Sequence, residues 1–486
     1  MSESDLPSQI PGFKGPASAT EPAEAHLRTG ALGLRAVIFQ NMTNMAPAAA
    51  IVYDFPAQIA AAGAALWLSN SIALFAVLLI ASSIIQFARR LPHAGGYYTY
   101  LSRSLGPQVG AFSAWIYFLY ALILPAEVTL IWAGIASDLL KQYGHITIPW
   151  WIFEVGILGL VTYLVYAGVQ RSARITMIAG ALEITIFLIL AVALLIKPAS
   201  PINFSQLAPS HAPIGWSGIL GFGLVYGILN FVGFESAAPM AEETADPRRN
   251  IPRSVLYSVL IMGTVYLLMS IATVFGWGIP DLVNLINDPS PFNTMANRVL
   301  GIGTLLIFLA ATNSSFGCAL ATINQGSRVL MSMGRNGLIS PRASQVHPQY
   351  GTPHVAALII GGTTTFAALA AGFTWGTVNG FYVLAATLTD GALLIYILGN
   401  IGLPVFYRRE HREHFRLLTH IVMPLMAILL LGYVFYRTLW PIPVYPLNLP
   451  GYFAIFWVVV GIVLVAIAQK TRAEGLRHAL EEEVGV

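Results

Sequence analysis

The chain has 486 residues, 56% of them hydrophobic and 10% charged, with a formal net charge of +3. Soluble chains carry roughly a quarter charged residues, so a single water-facing core does not account for this apolar surface, and lipid must serve as much of the solvent. The mild positive charge carries no nucleic-acid footprint, and one cysteine, Cys318, excludes an intramolecular disulfide.

Residues 1–30 are polar and rich in Pro, Ser, Ala and Gly, and they read as a disordered tail without a cleavable signal peptide. Apolar stretches of the length that crosses a bilayer then recur along the chain. They predict twelve spans, at about 32–63, 66–88, 109–139, 149–168, 174–196, 216–241, 254–277, 299–331, 354–373, 378–406, 417–437 and 450–469, followed by a C-terminal tail over 471–486. With the N-terminus inside, all of the 25 Lys and Arg except Lys141, Lys197, Arg298 and Arg437 fall on the inner side. Cytoplasmic flanks carry that excess, so both termini are expected in the cytoplasm and the protein in the cytoplasmic (inner) membrane.

The first and sixth spans are interrupted. Pro47 follows the polar residues Asn41, Thr43 and Asn44 and predicts a break near Ala46 to Ala50. Gly227, Gly233, the Glu235-Ser236 pair and Pro239 predict a second break near Phe231 to Glu235. The two breaks are separated by nearly the same length of chain as the starts of the third and eighth spans. That spacing predicts a first repeat over 31–200, a second over 201–410 and two extra spans over 411–470. An odd number of spans per half inverts the second repeat in the membrane, and paired broken helices in such a repeat point to a transporter site at the midplane. Broken segments free amides that attract a carboxylate and carbonyls that attract an ammonium group.

Five acids fall inside the predicted spans, Asp54, Glu127, Glu183, Glu235 and Asp390, with no Lys or Arg near the middle of a span. Such residues are costly and functional by default, and the missing counter-charge is the cargo or a proton. Each also has a plainer reading. Asp54 caps or solvates the outer half of span 1, Glu127 is a cargo-amine contact or a protonated packing residue, Glu235 braces the two broken helices, and Asp390 hydrogen-bonds a neighbouring span. Phe231 and Phe234 are candidate lids, Trp150 and Trp151 an interfacial anchor, and Tyr97, Tyr98 and Tyr100 packing residues. Glu242, Glu243, Asp246, Arg248 and Arg249 are expected to form inner-face ion pairs or to anchor topology. The chain has no HExxH, Cys/His metal spacing or GxSxG turn, so no enzyme, metal or cofactor is expected.

The segment GFESAAPMAEETADPRRNIPRSV, beginning at Gly233, resembles the sixth-span signature of the amino acid-polyamine-organocation permeases. LPHAGGYYTYLSRSLGP (91–107) is similar to that family's first cytoplasmic loop, and SRVLMSMGRNGLISP (327–341) to the loop after its eighth span. The resemblance implies an all-α, LeuT-like five-plus-five inverted repeat with two extra helices. It also implies a secondary active transporter of amino acids, with an amine or polyamine as the alternative cargo. Carried over by position, Ala48-Ala49-Ala50-Ile51 stands where the family has an unwound Gly-Ser-Gly-Ile. Without that serine, cargo carboxylate recognition rests on the backbone amides of Ala49 to Ile51, and the amine meets carbonyls near Ala46 and Val232. Glu183 stands where proton-coupled members often carry a lysine, so either the coupling differs or the site belongs to a protonatable acid; Glu183 and Glu235, as intramembrane acids able to titrate, favour a proton as the coupling ion. Thr312, Asn313, Ser314 and Ser315 stand where relatives with sodium use hydroxyls, so sodium remains an alternative.

Overall fold

The computed structural model describes residues 30–168, 171–288, 290–440 and 445–484. The expected tail over 1–30 therefore lies outside the described residues except for Gly30, as do the last two residues of the C-terminal tail. Among the described residues the chain is helical, and the single β-type contact is an isolated bridge between Leu32 and Thr244.

In chain order, α1 (Leu34–Asn44) stops at a break, and α2 (Pro47–Ala49) continues through a π-helical turn (Ala50–Asp54) into α3 (Phe55–Ala62). Then come α4 (Leu66–Arg90), α5 (Tyr97–Leu105), α6 (Pro107–Gly144), α7 (Trp150–Tyr166) and α8 (Arg171–Ile196). After a connecting loop, α9 (Gly215–Gly218) passes through a second π-helical turn (Ile219–Gly223) into α10 (Leu224–Leu229), where helix again stops. The chain resumes as α11 (Pro247–Trp277), the short α12 (Leu282–Asn287) and α13 (Pro291–Leu300), and then α14 (Gly303–Arg335). It ends with α15 (His354–Glu410), α16 (Met423–Leu439) and α17 (Leu449–Val484), the last continuing as helix through most of the expected tail.

Seven helical segments are long and apolar enough to cross a membrane, and two of them, Leu34–Arg90 and His354–Glu410, have 57 residues each. A straight helix of that length would reach about 85 Å, far beyond a bilayer core of about 30 Å. The second is bent at Gly376, whose φ of 78° is open to glycine and strained for other residues. Trp150–Tyr166, Gly180–Ile196 and Gly215–Leu229 are shorter apolar helices. The helices turn large apolar side chains such as Leu182, Ile189, Phe366, Ile455 and Phe456 outward, where lipid would meet them. α16 and α17 are the least enclosed, and they lie at the periphery.

Between helices, close contact has to come from packing and hydrogen bonds, because lipid tails are as apolar as leucine. α15 packs along α6, and α11 along α4. The second break contains the tightest approach. Gly233 has a φ of +105°, and a Cβ there would stand 2.5 Å from Asn44 Nδ2 and 2.9 Å from the Asn44 carbonyl oxygen. Only glycine lets the broken sixth span pass this close to the end of α1.

The acidic and basic cluster after the sixth span does not pair within itself among the described residues. Glu243 forms a buried ion pair with Arg328 of α14, which also donates to the Asn324 carbonyl at 2.8 Å. Glu242 pairs with Arg335 at 3.2 Å and accepts the Ala94 amide at 3.1 Å. No ion pair is seen for Arg248 or Arg249 among the described residues, which leaves them the topology-anchor reading. The clasp is completed by Leu32, whose amide donates to Glu243 O and whose carbonyl accepts the Ala245 amide, both at 2.9 Å. Tyr97 and Tyr100 are buried packing residues, as expected.

Two variants test these contacts by thermal unfolding in detergent. Gly233→Ala should lose about 2–4 kcal/mol from left-handed backbone and overpacking. Gly432→Ala, with open space around its Cβ, should be near neutral; equal unfolding of the two would contradict the break geometry. Arg328→Met should cost about 3–5 kcal/mol by stranding Glu243 as a buried charge, with much of the loss restored by adding Glu243→Gln. A double variant no more stable than the single one would contradict the pair.

Candidate substrate and coupling site

The first break opens as expected after Asn44, and it is narrower than expected, because Pro47 restarts the helix at once. Ala46 takes the left-handed conformation, φ 46° and ψ 66°, which costs an L-residue roughly 1–2 kcal/mol. Contacts from three helices, α6, α11 and α14, hold the turn there. Asn44 Nδ2 donates to the Tyr120 hydroxyl at 2.9 Å, Thr322 Oγ1 donates to Asn44 Oδ1 at 2.5 Å, and Cys318 Sγ donates to Asn44 O at 3.3 Å. The Tyr266 hydroxyl lies 2.9 Å from Asn230 O and 3.4 Å from Met45 O, so one side chain reaches the carbonyls of both breaks.

The second break begins at Asn230, at the end of α10, and includes the expected Phe231 to Glu235. Asn41 ties it to the first. Its Oδ1 accepts the Ala237 amide at 2.7 Å, and Ser236 Oγ donates to Gln40 O at 3.1 Å.

Restarting a helix leaves amides without intrahelical partners, and here the protein supplies them itself. The Ala48 amide donates to Glu183 Oε1 at 2.7 Å, and the Ala48 and Ala49 amides lie 3.2 and 3.3 Å from Ser314 Oγ. Asn313 Nδ2 donates to Glu183 Oε2 at 2.6 Å. The Ala50 amide is taken by the Ala46 carbonyl at 2.9 Å. Of the amides reserved by the sequence reading for a cargo carboxylate, Ala49 and Ala50 are thus engaged, and Glu183 takes the neighbouring Ala48 amide. Asn313 and Ser314 serve the same clasp, while the buried Ser315 hydroxyl has no partner; Thr312 instead accepts the Trp132 indole N–H at 2.8 Å.

Next to the restarted helix lies a small cavity of about 20 Å³, room for a single water. Asp54, Glu127, Ala46, Ala50, Val232 and Phe381 are among its walls, and every lining residue is buried. Ala49 also lines it, whereas Ala48 and Ile51 are buried without facing it. Glu127 Oε2 and Asp54 Oδ1 have no hydrogen-bond partner, and Asp54 makes no capping bond.

Several expected site residues sit elsewhere. Phe231 and Phe234 do not line the cavity; they pack edge-on against Tyr266 and tilted against Tyr396, with ring centroids 5.2 and 5.6 Å away. The aromatic at the cavity is Phe381, which the sequence reading passed over. Gly233 is occupied with the fit to Asn44. Glu235 accepts the Tyr396 hydroxyl at 3.0 Å, so it braces the sixth span to α15 rather than to the first span. Asp390 accepts Thr438 Oγ1 at 2.7 Å, the neighbouring-span bond expected of it. A further buried acid inside a predicted span was missed: Glu154 is fully buried and 2.7 Å from Thr129 Oγ1. Its signal was an acid inside the apolar run WWIFEVG, read there only for its tryptophans.

Comparison with known proteins agrees with this architecture. The profile of the amino acid permease family matches residues 36–474. The chain is 25% identical to the branched-chain amino acid permease BcaP of Bacillus subtilis over 72% of its own length and 75% of that relative. It is 25% identical to the low-affinity putrescine importer PlaP of Escherichia coli K12, over 82% of this chain and 85% of the importer. It is 27% identical to the glutamate/serine transporter AimA of B. subtilis, over 78% and 72%. A multi-pass helical chain matched to this profile over most of its length belongs to the amino acid permease family, within the amino acid-polyamine-organocation superfamily of transporters, and is not an enzyme.

Proposed function

We propose that the protein is a secondary active transporter that moves an amino acid or a small amine across the cytoplasmic membrane by alternating access, with a proton as the coupling ion. The observation that carries this reading is the pairing of a small, acid-lined cavity with a protonatable carboxylate, Glu183, that closes the adjacent break.

Counting each 57-residue segment as two crossings and adding the three shorter apolar helices accommodates twelve spans. Interruptions in the first and sixth of them suit two inverted repeats, over 31–200 and 201–410, with 411–470 outside the repeat. The distribution of Lys and Arg puts both termini in the cytoplasm. The cavity then lies between the halves, closed below by Asn44 and its partners and above by Phe381. The Glu243–Arg328 pair and the Leu32 bridge are contacts that an inward-opening movement has to break, which gives the bistable element that switching requires.

Glu183 supplies the coupling. As a carboxylate it accepts charge-assisted hydrogen bonds from the Ala48 amide and Asn313, joining the broken first span to α8 and α14. Protonation removes that charge and weakens the clasp, freeing the restarted helix to move. Sodium is the weaker alternative, since Asn313 and Ser314 are committed to this clasp.

In proteoliposomes, uptake of labelled amino acids and putrescine should follow an imposed pH gradient and not a sodium gradient at constant pH. Glu183→Gln should lose gradient-driven accumulation to the level of protein-free vesicles while exchange of cargo down its own gradient persists. Wild-type accumulation by Glu183→Gln would overturn the coupling role.

A further inference from the structure

We infer that the cargo is a small amine cation that carries no carboxylate, received by Asp54 and Glu127. The inference rests on the transport reading above and names the chemical class that the site accepts.

A zwitterionic amino acid needs donors at one pole and acceptors at the other. The donors are missing. The Ala48 and Ala49 amides are held by Glu183 and Ser314, and the Ala50 amide by the Ala46 carbonyl. No Lys, Arg or His is among the residues that line the cavity. The one side-chain amide there, Asn44, already donates to Tyr120 and accepts from Thr322. A cargo carboxylate would face Glu127 and Asp54, and like charges in a low-dielectric interior repel strongly. Glu183 is in effect a carboxylate already bound at the restart of the first span, on the amide next to those expected to receive a cargo carboxylate.

The acceptors, in contrast, are present and unused. Asp54 and Glu127 are 6% and 3% exposed, and Asp54 Oδ1 and Glu127 Oε2 have no partner, although both residues line the same cavity. Unpartnered buried polar atoms are rare because they are costly, and two on facing acids with no cation beside them match a cationic guest. Phe381 offers an aromatic wall for the same charge. Leu124, Val128, Leu229 and Val232 form the rest of the cavity, an apolar surface suited to a methylene chain. At about 20 Å³ the closed cavity admits only a head group, so these side chains must part when the site opens to receive cargo.

The test uses amines matched to their carboxylated parents, namely putrescine with ornithine, cadaverine with lysine and agmatine with arginine. Thermal stability of the full-length protein in detergent is measured against each, since a ligand bound only to the folded state raises the unfolding temperature. At least one amine should raise it by a few degrees while its parent at the same concentration does not. Asp54→Asn and Glu127→Gln should lose that shift without lowering the ligand-free unfolding temperature. Glu183→Ala, which removes the carboxylate partner of the Ala48 amide, should narrow the preference for amine over parent by about tenfold. Parents that stabilise as well as their amines, or no shift with either set, would overturn the inference. So would an amine shift that survives both acid substitutions. Flux is a separate readout: amino acid uptake in proteoliposomes would leave the transport reading standing without the amine site, whereas an amine that binds and is never carried would fail the transport reading and leave the recognition site intact.

Discussion

An amide hydrogen freed in the middle of a bilayer has no water to turn to, and leaving it unpaired costs several kcal/mol. The restart of the first span at Pro47 creates this situation at Ala48 and Ala49, and the partners come from other helices, Glu183 of α8 with Ser314 and Asn313 of α14. Much of the interior follows from that requirement. Ala46 must turn left-handed to start the new helix, Asn44 must be clipped by Tyr120 and Thr322 to hold the turn, and the sixth span must present a glycine to pass Asn44. Tyr266 then joins the carbonyls of the two breaks. The breaks are joined as one unit, and in the proposed coupling a proton on Glu183 is what weakens it.

Around this unit the contacts differ in kind. At the cavity wall they are aromatic, with Phe381 against Tyr53 and Tyr382 at centroid distances of 5.8 and 5.2 Å. After the sixth span they are ionic and backbone bonds, Glu243 to Arg328 and Leu32 to Glu243 and Ala245. Ionic contacts are easily exchanged for water when a face opens, whereas aromatic packing slides. In the proposed cycle the two gates can therefore respond to different triggers, with the inner one set by charge and hydration.

Breakers and acids were the legible part of this site. Pro47 and Gly233 announced the interruptions because each acts on its own local backbone, and a proline or a glycine reads the same way in any context. The bend at Gly376 fell between two predicted spans for the same reason. Partnership was not legible. Glu183 was visible as an intramembrane acid, yet its grip on an amide 135 positions earlier depends on helix packing that no local pattern records. Arg328 appeared to be an ordinary inner-flank charge, and only the fold brings it to Glu243 and buries both. Phe231 and Phe234 were chosen for their nearness in sequence to the break, whereas the cavity takes its aromatic wall from Phe381, far along the chain on α15.

Hydrogen exchange at the amides of Ala48 and Ala49 tests the central claim most directly, followed in the purified protein and in Glu183→Ala. The clasp predicts slow exchange in the wild type and a marked acceleration confined to the segment around Ala46 to Ile51 in the variant, with α6 and α11 unchanged. Equal exchange in the two proteins would show that Glu183 does not hold the restarted helix, and the account of coupling and cargo built on it would fall.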